Sequence, residues 1–197
     1  STLSPSSAAS DVYKRQLWIG SRPTPLQGKF QVVYLDFSRA SGGSGSLEEN
    51  FNNYCGMVMD LFGKVYEPYY FPGFAQKMEE QPDFVSKLNY LNLHAAESGM
   101  KLYLIIDEYD NFTNIVLNEQ GKDIYHALTH ASGFYREIFK KFKGMFERIF
   151  MTGVSPVTLD DLTSGFNIGW NISTDYQFNM MLGFSETDVR TLSLIHI

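Results

Sequence analysis

Lys101-Leu-Tyr-Leu-Ile-Ile-Asp-Glu-Tyr-Asp110 is the stretch on which the fold turns. Residues 102–106 form an unbroken apolar run, partly β-branched, and such a run reads as a strand buried on both faces. It stops abruptly at four polar or acidic positions, Asp107, Glu108, Tyr109 and Asp110. In an open parallel sheet ligands sit at the carboxyl ends of strands, which is where this spacing puts Asp107 and Glu108.

Upstream, Phe30-Gln-Val-Val-Tyr-Leu-Asp-Phe-Ser38 reads as another strand buried on both faces, and residues 39–46 as a flexible glycine- and serine-rich loop. Ser46 before Leu47-Glu-Glu caps a helix running to about Phe62, with Phe51, Tyr54, Cys55, Val58, Leu61 and Phe62 as its apolar positions. Tyr66 to Phe74 is an aromatic, proline-broken connection that reads as packed loop rather than ligand cage. Pro82-Asp83 opens a second helix with Phe84, Leu88, Leu91 and Leu93 on one face and Gly99 as its stop. A helical stretch from Lys122 to about Phe146 precedes a third strand, Arg148 to Thr152, broken by Gly153 and Pro156. Strands alternating with helices imply an α/β fold with a parallel sheet, because parallel neighbours need helical crossovers.

A strand of apolar residues ending in Asp-Glu is the Walker B pattern. There the Asp holds magnesium through water, and the Glu orients and deprotonates the water that attacks a γ-phosphate. The bland reading is a pair of solvent-facing or helix-capping acids beyond a core strand. Context favours the first reading, since the next strand ends in Thr152-Gly153, where a polar side chain can sense the γ-phosphate. The candidate set is therefore Glu108 and Thr152 as catalytic residues, with Asp107 and Ser155 for the nucleotide. Asp107 is also the magnesium ligand, and ATP and Mg2+ are the implied cofactors.

The phosphate-binding loop that normally accompanies this pattern has the form G-x-x-x-x-G-K-[ST], and no stretch of the chain matches it. Gly42-Gly-Ser-Gly-Ser46 is glycine-rich but has no lysine. Other candidates have plainer readings. His126 and His130 share a helical spacing but show no third ligand, and His94 reads as a partly buried helix residue. Asp160-Asp161 reads as a helix start, and Lys140-Lys-Phe-Lys143 as a solvated helix end.

With 44% hydrophobic and 15% aromatic residues the chain has ample material for one core. Its acidic balance and lack of a basic tract argue against this segment being a nucleic-acid grip by itself. Ser6 to Gln16 matches the in-frame translation of a transposase-based sequencing adaptor, and Leu192 to Ile197 translates the reverse complement of its terminal repeat. Residues 1–16 and 192–197 are therefore read as adaptor-derived, and the natural gene is expected to continue in both directions. Removing Asp11, Lys14 and Arg15 takes the formal charge from −6 to −7. The single cysteine, Cys55, cannot form an internal disulfide, which fits a reducing cytoplasmic setting, and it reads as a small buried residue. No apolar run of about 18 residues is present, so no membrane-spanning helix is expected.

Several blocks resemble the bacterial AAA-ATPase-like family. They are Leu17-Trp-Ile-Gly-Ser-Arg-Pro-Thr-Pro25, Tyr34-Leu-Asp-Phe-Ser38, Leu104-Ile-Ile-Asp-Glu-Tyr-Asp-Asn-Phe112 and, most specifically, Phe150 to Ile168, with continuation through Asn171-Ile-Ser173 to Val189. The resemblance implies a three-layer parallel sheet of P-loop NTPase type that is incomplete here, its first strand and phosphate-binding loop missing. Residues 17–191 would then be a partial AAA-like ATPase domain, with a PD-(D/E)-x-K nuclease-like domain typically downstream as partner and nucleic acid reached through it. Asp107 and Glu108 match the family's Walker B acids and Thr152 its sensor strand, while residues 158–168 have no assigned role.

The expected strand order runs from the Phe30 strand through the Lys101 strand to the Arg148 strand, with the absent first strand beside the last and the edge there open. Two function classes follow. One is a fragment of an ATP-hydrolysing protein; the other is a nucleotide-binding switch or degenerate scaffold without significant turnover.

Overall fold

The computed structural model describes residues 18–22, 24–40, 45–119, 121–129, 133–154, 170–178 and 186–195. Its sheet has three parallel strands, β1 (Phe30–Asp36), β2 (Lys101–Asp107) and β3 (Arg148–Met151), in the spatial order β1-β2-β3 expected of the middle of a P-loop-type sheet. Between β1 and β2 lie α1 (Leu47–Tyr66), α2 (Phe74–Glu79) and α3 (Phe84–Glu97). Between β2 and β3 lie α4 (Asn111–Glu119), α5 (Lys122–Thr129) and α6 (Phe134–Met145), and α7 (Glu186–Ile195) follows later in the chain.

Helix α1 starts where the sequence places it. The Ser46 hydroxyl accepts the Glu49 N–H at 3.2 Å and the Glu49 carboxylate accepts the Ser46 N–H at 2.8 Å, so two orphan donors are satisfied at once. Phe51, Tyr54, Cys55 and Phe62 are buried on its inner face, whereas Leu61 lies just past the edge of that stripe and is exposed. In α3, capped by Asp83, Leu93 sits two and a half turns beyond Phe84 and so faces solvent, opposite the buried Phe84, Leu88 and Leu91. The helical stretch expected over 122–146 is two helices, since Gly133 takes an extended ψ of 139° just before α6. Helix α4 was not expected from the sequence, although Phe112, Ile115 and Val116 stand at helical spacing. It begins on the Asp110 carbonyl, which accepts the Asn114 N–H at 2.8 Å and the Thr113 hydroxyl at 2.9 Å.

The core is aromatic at its centre. Phe51 meets Phe37, Phe112 and Tyr135 edge-on at centroid distances of 5.1, 5.2 and 5.6 Å. Each buried ring contributes roughly 1.5–3 kcal/mol through burial, and the edge-to-face geometry adds about 0.5–1.5 kcal/mol per pair. The Tyr66–Phe74 connection packs as expected, with Tyr70 stacked on Phe74 at 4.0 Å.

Register puts Val33 beside Leu104 and Leu35 beside Ile106, all four buried under the helices. The alternate residues face the other way, and Val32 and Tyr34 are 36% and 49% exposed. The described residues thus supply two of the three expected layers, and β1 is buried on one face rather than two. Its outer edge is partly capped, because Tyr66 and Tyr54 of α1 accept the Val32 and Asp36 N–H groups at 3.1 and 2.9 Å. Among the described residues β3 pairs only with β2, which leaves its outer edge open.

Candidate functional site

Parallel pairing brings the carboxyl ends of the strands to one rim. Asp36 stands in register with Asp107, and Thr152 follows β3 directly. Asp107 is fastened at both oxygens. The Thr152 hydroxyl and the Glu108 N–H donate to Oδ1, the latter at 3.1 Å, and the Tyr34 hydroxyl donates to Oδ2 at 3.0 Å. These donors hold its carboxyl below the usual carboxylate range, with Thr152 the largest cause and Tyr34 the next. The bond to Asp107 is also the main reason that the Tyr34 hydroxyl is pushed above its ordinary value.

Strand alternation would send Glu108 toward the helix-covered face. Its backbone instead takes a φ of +50°, the left-handed region, at a cost of about 1–2 kcal/mol for a non-glycine residue. The alternation ends there, and the Glu108 side chain is exposed, with its carboxylate accepting the Asn111 amide at 3.0 Å.

The turns after β2 and β3 are joined beyond the strands themselves. Thr152 N–H donates to Ile106 O at 2.9 Å, Tyr109 N–H to Thr152 O at 3.0 Å, and Val154 N–H to Asp110 Oδ1 at 3.1 Å. Gly153 is required at this crossing. A Cβ there would lie 2.5 Å from Tyr109 Cε1 and 2.6 Å from Asp110 Oδ1, well inside van der Waals contact. Tyr109 is itself held by the buried Tyr135 hydroxyl, which donates to its carbonyl at 2.7 Å.

Of the residues singled out from the sequence, Asp107 and Thr152 are in direct contact, and Glu108 shares its backbone N–H with the Asp107 carboxylate. Ser155 lies outside the described residues, as do residues 158–168, His130 and Asp160-Asp161. Ser46, at the end of the glycine-rich loop, is spent on capping α1. Sequence reading missed Tyr34, Asp110, Asn111 and Gly153. Asp110 and Asn111 adjoin the acidic pair, but nothing in the linear order distinguishes their roles, and Tyr34 lies 73 positions from Asp107.

A cleft of about 480 Å³ lies elsewhere, where the first turns of α1 and α3 meet α6, with Glu48, Phe51, Phe84 and Glu137 in its wall; its lining includes neither Asp107 nor Thr152. Among the described residues no group of three or more His, Cys, Asp or Glu could ring a metal. One anionic carboxylate with a hydroxyl beside it suits magnesium, which keeps most of its water and takes one or two carboxylates plus phosphate oxygens.

The family model described as "AAA-ATPase_like: Predicted AAA-ATPase" matches residues 6–163. The match starts within the segment read as adaptor-derived and stops inside the 158–168 block. Comparison with curated proteins and with solved structures finds no match.

Proposed function

Since the chain belongs to the AAA-ATPase-like family, we propose that the rim formed by β2 and β3 is the metal- and water-directing part of an ATP-hydrolysing site, the Walker B and sensor strands of a three-layer P-loop domain. The observation that carries this is the bond from the Thr152 hydroxyl to the Asp107 carboxylate at the ends of adjacent parallel strands. Bound magnesium would neutralise charge developing on the β- and γ-phosphate oxygens.

Asp107, kept anionic by its three donors, would hold the ion through its water shell. Glu108 orients a water at the γ-phosphorus and takes its proton as the new P–O bond forms and the β–γ bridge breaks. Thr152, with Ser155 as second choice, reports the γ-phosphate to that pair. No stretch of the chain has the G-x-x-x-x-G-K-[ST] pattern, so the triphosphate itself is assigned to a phosphate-binding loop outside these 197 residues. The proposed output is control of a downstream nuclease-like domain and, through it, of nucleic acid, in a reducing cytoplasmic setting that suits the buried free thiol of Cys55.

The test is ATP turnover by the protein joined to its phosphate-binding loop. Glu108→Gln should lower hydrolysis by about 10² or more while sparing ATP binding. The tether from Asn111 to Glu108 supports a second reading, a nucleotide-binding switch without significant turnover. Under it, wild type binds ATP with negligible hydrolysis and Glu108→Gln changes nothing.

A further inference from the structure

We propose that Asp110 is a positioning residue, whose buried carboxylate clips the turn after β3 to the turn after β2 and thereby sets Thr152 against Asp107. This rests on the reading above only in taking Asp107 and Thr152 as the working pair.

Asp110 is 2% exposed, and a carboxylate removed from water needs donors. Its Oδ2 accepts the Asn114 side-chain amide at 3.2 Å, and its Oδ1 accepts the Val154 N–H at 3.1 Å. The first bond, with the carbonyl bonds that start α4, ties Asp110 to a helix whose Phe112 is fully buried. The second reaches across to the chain leaving β3. Burial does not hold that chain, since Val154 is 92% exposed. Gly153 lets the backbone come this close. Thr152, whose own N–H and carbonyl bond Ile106 O and Tyr109 N–H, is therefore followed two residues on by a point fixed to the core, and the clip closes the turn that orients its side chain. A hydroxyl that must stay on one carboxylate needs such a fixed register, because displacements near 1 Å cost large factors in rate.

The rival explanation is that Asp110 merely caps α4. Asp110→Asn keeps an oxygen that can accept Val154 N–H. Asp110→Ser keeps a good helix cap but is too short to reach Val154. NMR on the whole chain without ligand reads both. The expected result is a Val154 amide protected from exchange in wild type and in Asp110→Asn. In Asp110→Ser that protection is lost and the Asp107 carboxyl carbon signal moves to where Thr152→Val puts it, while the β2 amides stay protected.

A Val154 amide that exchanges freely in wild type overturns the proposal. So does an Asp107 signal unmoved in Asp110→Ser, or the same loss in Asp110→Asn. Should Asp110→Ser fail to fold, wild-type exchange at Val154 and the Asp110→Asn spectrum decide the matter. None of these signals depends on ATP hydrolysis, so a failed Glu108→Gln test and a failed clip are told apart. In the ATP-hydrolysing protein, Asp110→Ser should lower kcat with little change in KM, and Asp110→Asn should restore it.

Discussion

The Thr152 hydroxyl donates to Asp107 Oδ1 although the two residues lie 45 positions apart in the chain. This bond is the first cause of the lowered Asp107 pKa. A carboxyl depressed in the folded state adds stability that is present above its unfolded value, about 3.9, and is lost as pH falls through the folded value. Thr152→Val should raise the Asp107 midpoint toward the ordinary range and weaken that acid dependence. Tyr34→Phe should give a smaller rise. A carbon-detected NMR titration measures both, and an unmoved midpoint in Thr152→Val would remove Thr152 as the cause.

Gly153→Ala should destabilise the fold by about 1–3 kcal/mol, because the added methyl meets Tyr109 and Asp110 at distances the packed turn cannot give up. Urea unfolding checks this. Stability equal to wild type would mean that the two turns are not packed together.

Lys87 is buried, pairs with the Asp60 carboxylate, and donates to Met78 O at 2.9 Å. Lys87→Ala should cost roughly 3 kcal/mol, since it strands a partly buried anion. Lys87→Met, which keeps the apolar stem, should cost less. Denaturant midpoints at constant slope give the comparison, and equal losses in the two variants would contradict it.

The partly capped outer edge of β1 and the open edge of β3 predict that the isolated chain self-associates through β3 and the exposed sheet face. Sedimentation should show mass rising with concentration, and Phe150→Lys on β3 should reduce it. A monomer at every concentration, melting cooperatively, argues against an incomplete sheet.

The strands, their parallel pairing and the carboxylates at the end of β2 were legible from linear sequence, whereas the strand order came from the family resemblance. Apolar runs and strand–helix alternation are local signals, and a parallel sheet leaves few ways to connect them. The start of α1 was legible for the same reason, since Ser46 and Glu49 act within one turn. Exposure of Leu93 was legible too, since nine residues past Phe84 is two and a half turns, but that of Leu61, at the border of the buried stripe, was not, because a residue's hydrophobicity does not tell how far round a helix its neighbours reach.

Linear order was enough to place an Asp-Glu pair at the end of an apolar strand within a parallel α/β arrangement. Folding in three dimensions adds that Asp107 is held by Tyr34 and Thr152, that Glu108 leaves the strand through a left-handed turn, and that Asp110 reaches Val154 past Gly153. The physical reason is range. Strand formation depends on neighbours a few residues away, whereas these bonds join groups 44 to 73 positions apart, and their angstrom-scale spacing exists only once the core has packed.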